Sequence, residues 1–109
     1  MNATEADRLC KGVTYASTQI RVSLGNRTSI AETLNWFWLL EDRLNRLIDV
    51  VDQNRGKVSQ CRDVIRDVVS ALESPQAKKR ANNPRVQAAR DKIDGLLMKL
   101  ERANATTAS

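Results

Sequence analysis

Two thiols, Cys10 and Cys61, are the side chains of this sequence with the readiest nucleophilic or redox chemistry. They stand fifty-one positions apart, and no histidine occurs anywhere in the chain. Without histidine, a serine or cysteine nucleophile lacks its ordinary base, and two isolated cysteines cannot hold a zinc ion. The carboxylates alternate with arginines, as in Glu41-Asp42-Arg43 and in Arg62-Asp63 followed by Arg66-Asp67. That pattern makes exposed helix-stabilising pairs rather than an acid–base dyad. No glycine-rich phosphate loop is present. The expectation is therefore a protein that is not an enzyme, with no catalytic residue, no metal and no cofactor. Cys10 and Cys61 fall on or beside inner helix faces, where cysteine behaves as a small hydrophobe. They are expected as free thiols of a reducing compartment, with a bridge between the first and third helices left geometrically open.

The chemistry of recognition is better represented. In Trp36-Phe37-Trp38-Leu39-Leu40 each residue turns by about 100° on a helix, so five apolar side chains cover the whole circumference. Phe37 and Leu40 share the inner side, Trp36 and Trp38 splay to opposite flanks, and Leu39 faces away. Two readings follow: a wide core with both indoles tucked beneath neighbouring loops, or a patch for another chain. Tryptophan is enriched at binding hot spots because it covers a large area and keeps a polar handle. Trp36, Trp38 and Leu39 are the candidate partner-interface residues.

A second candidate comes from charge. The net charge of +5 lies wholly after Ser74, since residues 1–74 carry ten basic and ten acidic side chains. The excess includes Lys78, Lys79, Arg80, Arg85, Lys92 and Lys99, and four of these (Lys78, Arg85, Lys92, Lys99) recur every seven residues. Such a stripe reads either as the solvated flank of a helix seam or as a phosphate-facing surface. No recognition-helix motif, RNA-binding aromatic signature or zinc site accompanies it.

These residues depend on helices for their placement. Seven apolar residues stand at seven-residue intervals, Ile30, Phe37, Leu44, Val51, Val58, Ile65 and Leu72, and mark long amphipathic faces. A first helix is predicted over about 4–24, capped by Thr4 with Asp7 three residues on, and closed by Gly25 and Asn26 in the left-handed conformation. Ser29 and Glu32 form a capping box for a second, over about 29–54. A third runs over about 57–73 and stops at Ser74-Pro75. Asn83 caps a fourth, over about 84–103, with Pro84 at its first position. Residues 76–82 read as a polar, basic and mobile connection, and 104–109 as a polar tail.

The polar run Asp52–Lys57 with Gly56 predicts a break between the second and third helices. Against it, the ladder keeps phase from Val51 to Val58. The alternative is one continuous helix Ser29–Glu73, about 68 Å long at 1.5 Å per residue, in an oligomer of coiled-coil type. The favoured architecture is all-α, a single antiparallel four-helix bundle over residues 1–103. At 109 residues there is room for one core but not for a core and a deep cleft.

The start, Met1-Asn2-Ala3-Thr4-Glu5, lacks the basic and apolar regions of a signal peptide. No apolar run approaches the ~18–20 residues that cross a bilayer. The sequons at Asn2, Asn26 and Asn104 are accordingly expected to be unused. The sequence points to the cytoplasm or another reducing intracellular compartment. It points to a helical protein–protein interaction module, an assembly subunit or adaptor in a larger complex such as a viral or organellar particle, which also allows for self-association. The alternative is a nucleic-acid-binding accessory protein using the basic C-terminal third.

Overall fold

Short polar side chains set where the helices begin. The computed structural model describes residues 4–25 and 29–106, apart from the side chains of Gln76, Lys78 and Thr106. Thr4 Oγ1 accepts from the Asp7 N–H at 3.2 Å, and α1 follows over Glu5–Gly25. Ser29 Oγ accepts from the Glu32 N–H at 3.1 Å and opens α2, Ile30–Ile48. Asn54 Oδ1 accepts from the Lys57 N–H at 3.1 Å at the start of α3, Arg55–Ala71. A one-turn helix α4, Lys78–Ala81, precedes α5, Pro84–Thr106, where Asn83 Oδ1 accepts from the Arg85 N–H at 2.9 Å. Each of these oxygens satisfies an amide that has no partner within its own helix.

The continuous-helix alternative does not hold. α2 stops at Ile48, six residues short of its predicted end, and a single 3-10 turn occupies Val51–Gln53. The polar run is there because its side chains hold two helix starts. Gln53 Oε1 accepts from the Ala6 N–H at 3.0 Å, while Asn54, the cap of α3, donates through Nδ2 to Asp7 at 2.9 Å. The molecule measures 42 Å along its longest axis, shorter than a 45-residue helix would be.

The four long helices form an all-α bundle whose chain direction alternates. α1 runs antiparallel to α2, with Ser23 against Thr33 and Tyr15 against Trp36. α3 runs antiparallel to α5, with Ser59 bonded to Asn104 and Glu73 to Arg90. In space the order around the square is α1–α2–α5–α3, so the consecutive helices α2 and α3 occupy opposite corners. Side-by-side packing therefore pairs α1 with α3 and α2 with α5 in parallel. Six of the seven ladder residues are buried, with Ile30 partly covered at the bundle end. Ile20, Leu40, Leu44, Leu47, Ile65, Ile93 and Leu100 fill the centre.

Three boundary expectations need correction. The connection 76–82 is folded onto the bundle: Pro75–Ala77 forms a 3-10 turn and Ala77 is buried at 1% exposure. The tail is helical as far as Thr106, because Arg55 donates to the Asn104 carbonyl at 2.6 Å and Asn104 Nδ2 donates to Ser59. Gly25 ends α1 without a positive φ, so no left-handed closure occurs at that residue, and Asn26 lies outside the described residues. No described helix is long and apolar enough to cross a membrane.

Candidate interaction surface

The core of α2 is fixed by Thr33, Phe37, Leu40, Leu44 and Leu47, all buried. Helical geometry then determines where the rest of the aromatic band points. Trp36 leans toward α1 and is half-buried, its ring edge-on to Tyr15 with centroids 5.6 Å apart and planes at 84°. That is a favourable aromatic geometry. Leu39 lies further round and remains only partly covered. Trp38 projects from the opposite flank and is 67% exposed. The two indoles thus divide: one tucks against a neighbour, and the other stands in solvent.

The exposed side of this band is a shallow depression of about 440 Å³ lined by Glu32, Asn35, Trp36, Trp38 and Leu39. Around the other flank of Trp38, a second depression of about 230 Å³ follows the seam with α5, reaching Arg85, Ala88 and Lys92. A third, of about 300 Å³, continues along the seam and shares Glu41 and Lys92 with the second before reaching Gly95 and Lys99. The band and the basic stripe, read from separate parts of the sequence, are neighbours in space.

The six basic candidates do not form one patch. Arg85, Lys92 and Lys99 are exposed along the α2–α5 seam. Lys92 lies 3.9 Å from Glu41 and is otherwise open. Arg80 belongs to a different place and a structural role. It donates at 3.2 Å to Thr33 Oγ1, which bonds Ser23 Oγ at 3.1 Å, and Ser23 in turn donates to the Ile20 carbonyl at 2.7 Å. This chain of hydrogen bonds satisfies two buried hydroxyls at the bundle end. Lys79 is exposed in α4, and the side chain of Lys78 lies outside the described residues.

Cys10 and Cys61 meet in the core between α1 and α3, as free thiols at 1% and 3% exposure. The hydrogen bond between them, followed by burial, holds the Cys61 thiol far above its ordinary value. The same hydrogen bond lowers Cys10, whose thiolate it favours. No group of three or more potential metal ligands occurs among the described residues.

A depression of about 600 Å³ lies between the connection that follows α3 and the first half of α5, beside Glu73, Arg90 and Asp94. Arg90 stands there among three carboxylates, bonded to Glu73 at 2.6 Å and 3.9 Å from Asp94, with Asp91 also in the lining. Sequence reasoning missed two participants of the aromatic surface. Tyr15 of α1 is 54% exposed and supports Trp36. Glu41, read as one of many helix-surface carboxylates, sits in the seam opposite Lys92. Compared with known proteins, the chain matches no family model, no curated protein and no solved structure.

Proposed function

We propose that this protein is a non-catalytic helical interaction module, an assembly subunit or adaptor that binds another protein through the outer face of α2. The observation that carries this reading is Trp38, 67% exposed beside the partly covered Leu39 and Trp36 on a helix whose inner face is already complete. An indole left in water forgoes roughly 1.5–3 kcal/mol of available burial. Grouped apolar side chains on a folded surface are the usual mark of a protein contact. The rival reading, an accessory protein for nucleic acid, draws on Arg85, Lys92 and Lys99. It is weakened because Glu41 stands in the same seam and Arg80 is engaged with Thr33.

The test is the size of the native assembly. The chain expressed in its own cells should sediment in a complex larger than its own 12.2 kDa, and Trp38→Ala together with Leu39→Ser should release it as a free chain. A wild-type chain that sediments alone at cellular concentration, or a double variant that stays in the complex, refutes the reading.

A further inference from the structure

The seam between α2 and α5 joins three observations: an exposed aromatic anchor, a shallow floor and a regular row of cations. Trp38 stands at one end. Ala88 and Gly95, seven residues apart on α5, line the seam, and nothing lies within 4 Å of where a side chain on Gly95 would begin. Arg85, Lys92 and Lys99 follow the lip at the same seven-residue interval. They span about 21 Å, or four helical turns. Among the described residues, Arg85 and Lys99 take part in no ion pair, and the one pair of Lys92 is at 3.9 Å.

We propose that this seam is a docking groove for an amphipathic helix of a partner protein, with acidic residues at seven-residue intervals on one flank and an apolar residue seated against Trp38. The proposal rests on the interaction-module reading and specifies the partner's chemistry. A helix is the fitting occupant because its own heptad repeat of about 10.5 Å matches the cation spacing. Its backbone can come close over Ala88 and Gly95. Charge decides the sign of the partner. Glu41 and Asp91 also line the seam, so a helix with discrete acids in register meets the three cations while avoiding both carboxylates. A polyphosphate, charged at every nucleotide, cannot avoid them.

The test uses two designed helical peptides with the same Leu/Trp face, one with glutamate and one with lysine at the flanking heptad positions, and a twelve-nucleotide single-stranded RNA. Binding to the full chain is read by tryptophan fluorescence and by amide shifts along α2 and α5. The glutamate peptide should bind at least tenfold tighter than the lysine peptide, and the preference should invert on Arg85→Glu/Lys92→Glu/Lys99→Glu. That inversion cannot arise from misfolding. Trp38→Ala should weaken both peptides. Equal binding of the two peptides, or an unaltered preference in the charge-reversed variant, overturns the proposal, as does RNA displacing the glutamate peptide. If the native assembly is lost with Trp38→Ala/Leu39→Ser yet survives the charge reversal, the groove is wrong and the interaction module stands.

Discussion

Phe37 and Trp38 are adjacent in sequence and similar in chemistry, yet the fold assigns them opposite energetic roles. Phe37 is 2% exposed beneath α5, and Trp38 is 67% exposed. Truncating a buried phenylalanine to alanine loses its transfer energy and leaves a cavity, together about 3–5 kcal/mol. Trp38 has one third of its surface covered. Taking ~150–250 Å² for a whole aromatic side chain and ~25 cal/mol per Å², the ceiling for its loss is about 2 kcal/mol. Part of that cover comes from its own helical turn, and alanine raises helix propensity by some tenths of a kcal/mol. The expected cost of Trp38→Ala is therefore below about 1 kcal/mol. With an unfolding entropy of roughly 2.1 cal/mol/K per residue, a 109-residue chain should lose about 17 °C in Tm for a 4 kcal/mol change and under about 5 °C for a 1 kcal/mol change. Urea titration of both variants, with the m-value checked for constancy, measures this directly. Equal losses for the two variants, or a Phe37→Ala cost under about 1.5 kcal/mol, refute the orientation of α2 on which the proposed surface depends.

Thr33→Val removes the hydroxyl linking Arg80 to Ser23 and should lower stability by about 1–3 kcal/mol. Ser23→Ala in the same background should cost less than it does alone, which a double-mutant cycle in urea will show. Gly95→Ala places a methyl group where nothing lies within 4 Å and should raise stability by about 0.5–1 kcal/mol, a gain visible as a higher Tm. The same substitution should weaken the glutamate-flanked peptide if the partner helix passes over Gly95. For pH, the Cys61 thiol is held above its ordinary value in the folded protein, whereas unfolded thiols ionise near pH 8.5. Above that pH the folded state keeps the Cys61 proton that the unfolded chain has lost, so stability falls as pH rises further; the lowered Cys10 thiol acts in the opposite sense, and only below that pH, where the folded state loses its proton first. Urea midpoints between pH 9 and pH 10, where Cys10 is ionised in both states, should decline less steeply in Cys10→Ala/Cys61→Ala than in the parent. Parallel declines would rule the thiol pair out as the cause.

The parts of the fold legible in the sequence were those fixed by local chemistry. Thr4, Ser29 and Asn83 each cap the helix expected of them, because an N-cap depends only on the next three residues. The buried faces of α2 and α3 were equally readable, since one apolar stripe per helix suffices to bury it. Tertiary relations were not legible. The charge excess picked out Arg80 but gave it no address, and only the packed bundle brings it to Thr33, forty-seven residues away. The same holds for Trp36 and Trp38, which are equivalent in composition. Their difference arises because Tyr15 of α1 stands on one side of α2 and a shallow seam on the other.

The heptad ladder shows why phase is a poor witness to continuity. Val51 and Val58 keep a seven-residue step although they belong to a 3-10 turn and to a separate helix. α2 and α3 stand at opposite corners of one core, so each must turn its apolar face to the same centre whatever joins them. The join contributes Val51 as a buried plug at 5% exposure, and Gln53 and Asn54 as caps for α1 and α3. Its length is set by the reach from the end of α2 to the starts of those two helices, which lie side by side because α1 and α3 run parallel. A rod would have needed a second chain to cover its 68 Å of ladder, at 1.5 Å per residue. Folding the ladder across the diagonal lets a single chain cover it, so the core needs no second chain, and the proposed contact falls instead on the face that the folded bundle leaves open at Trp38.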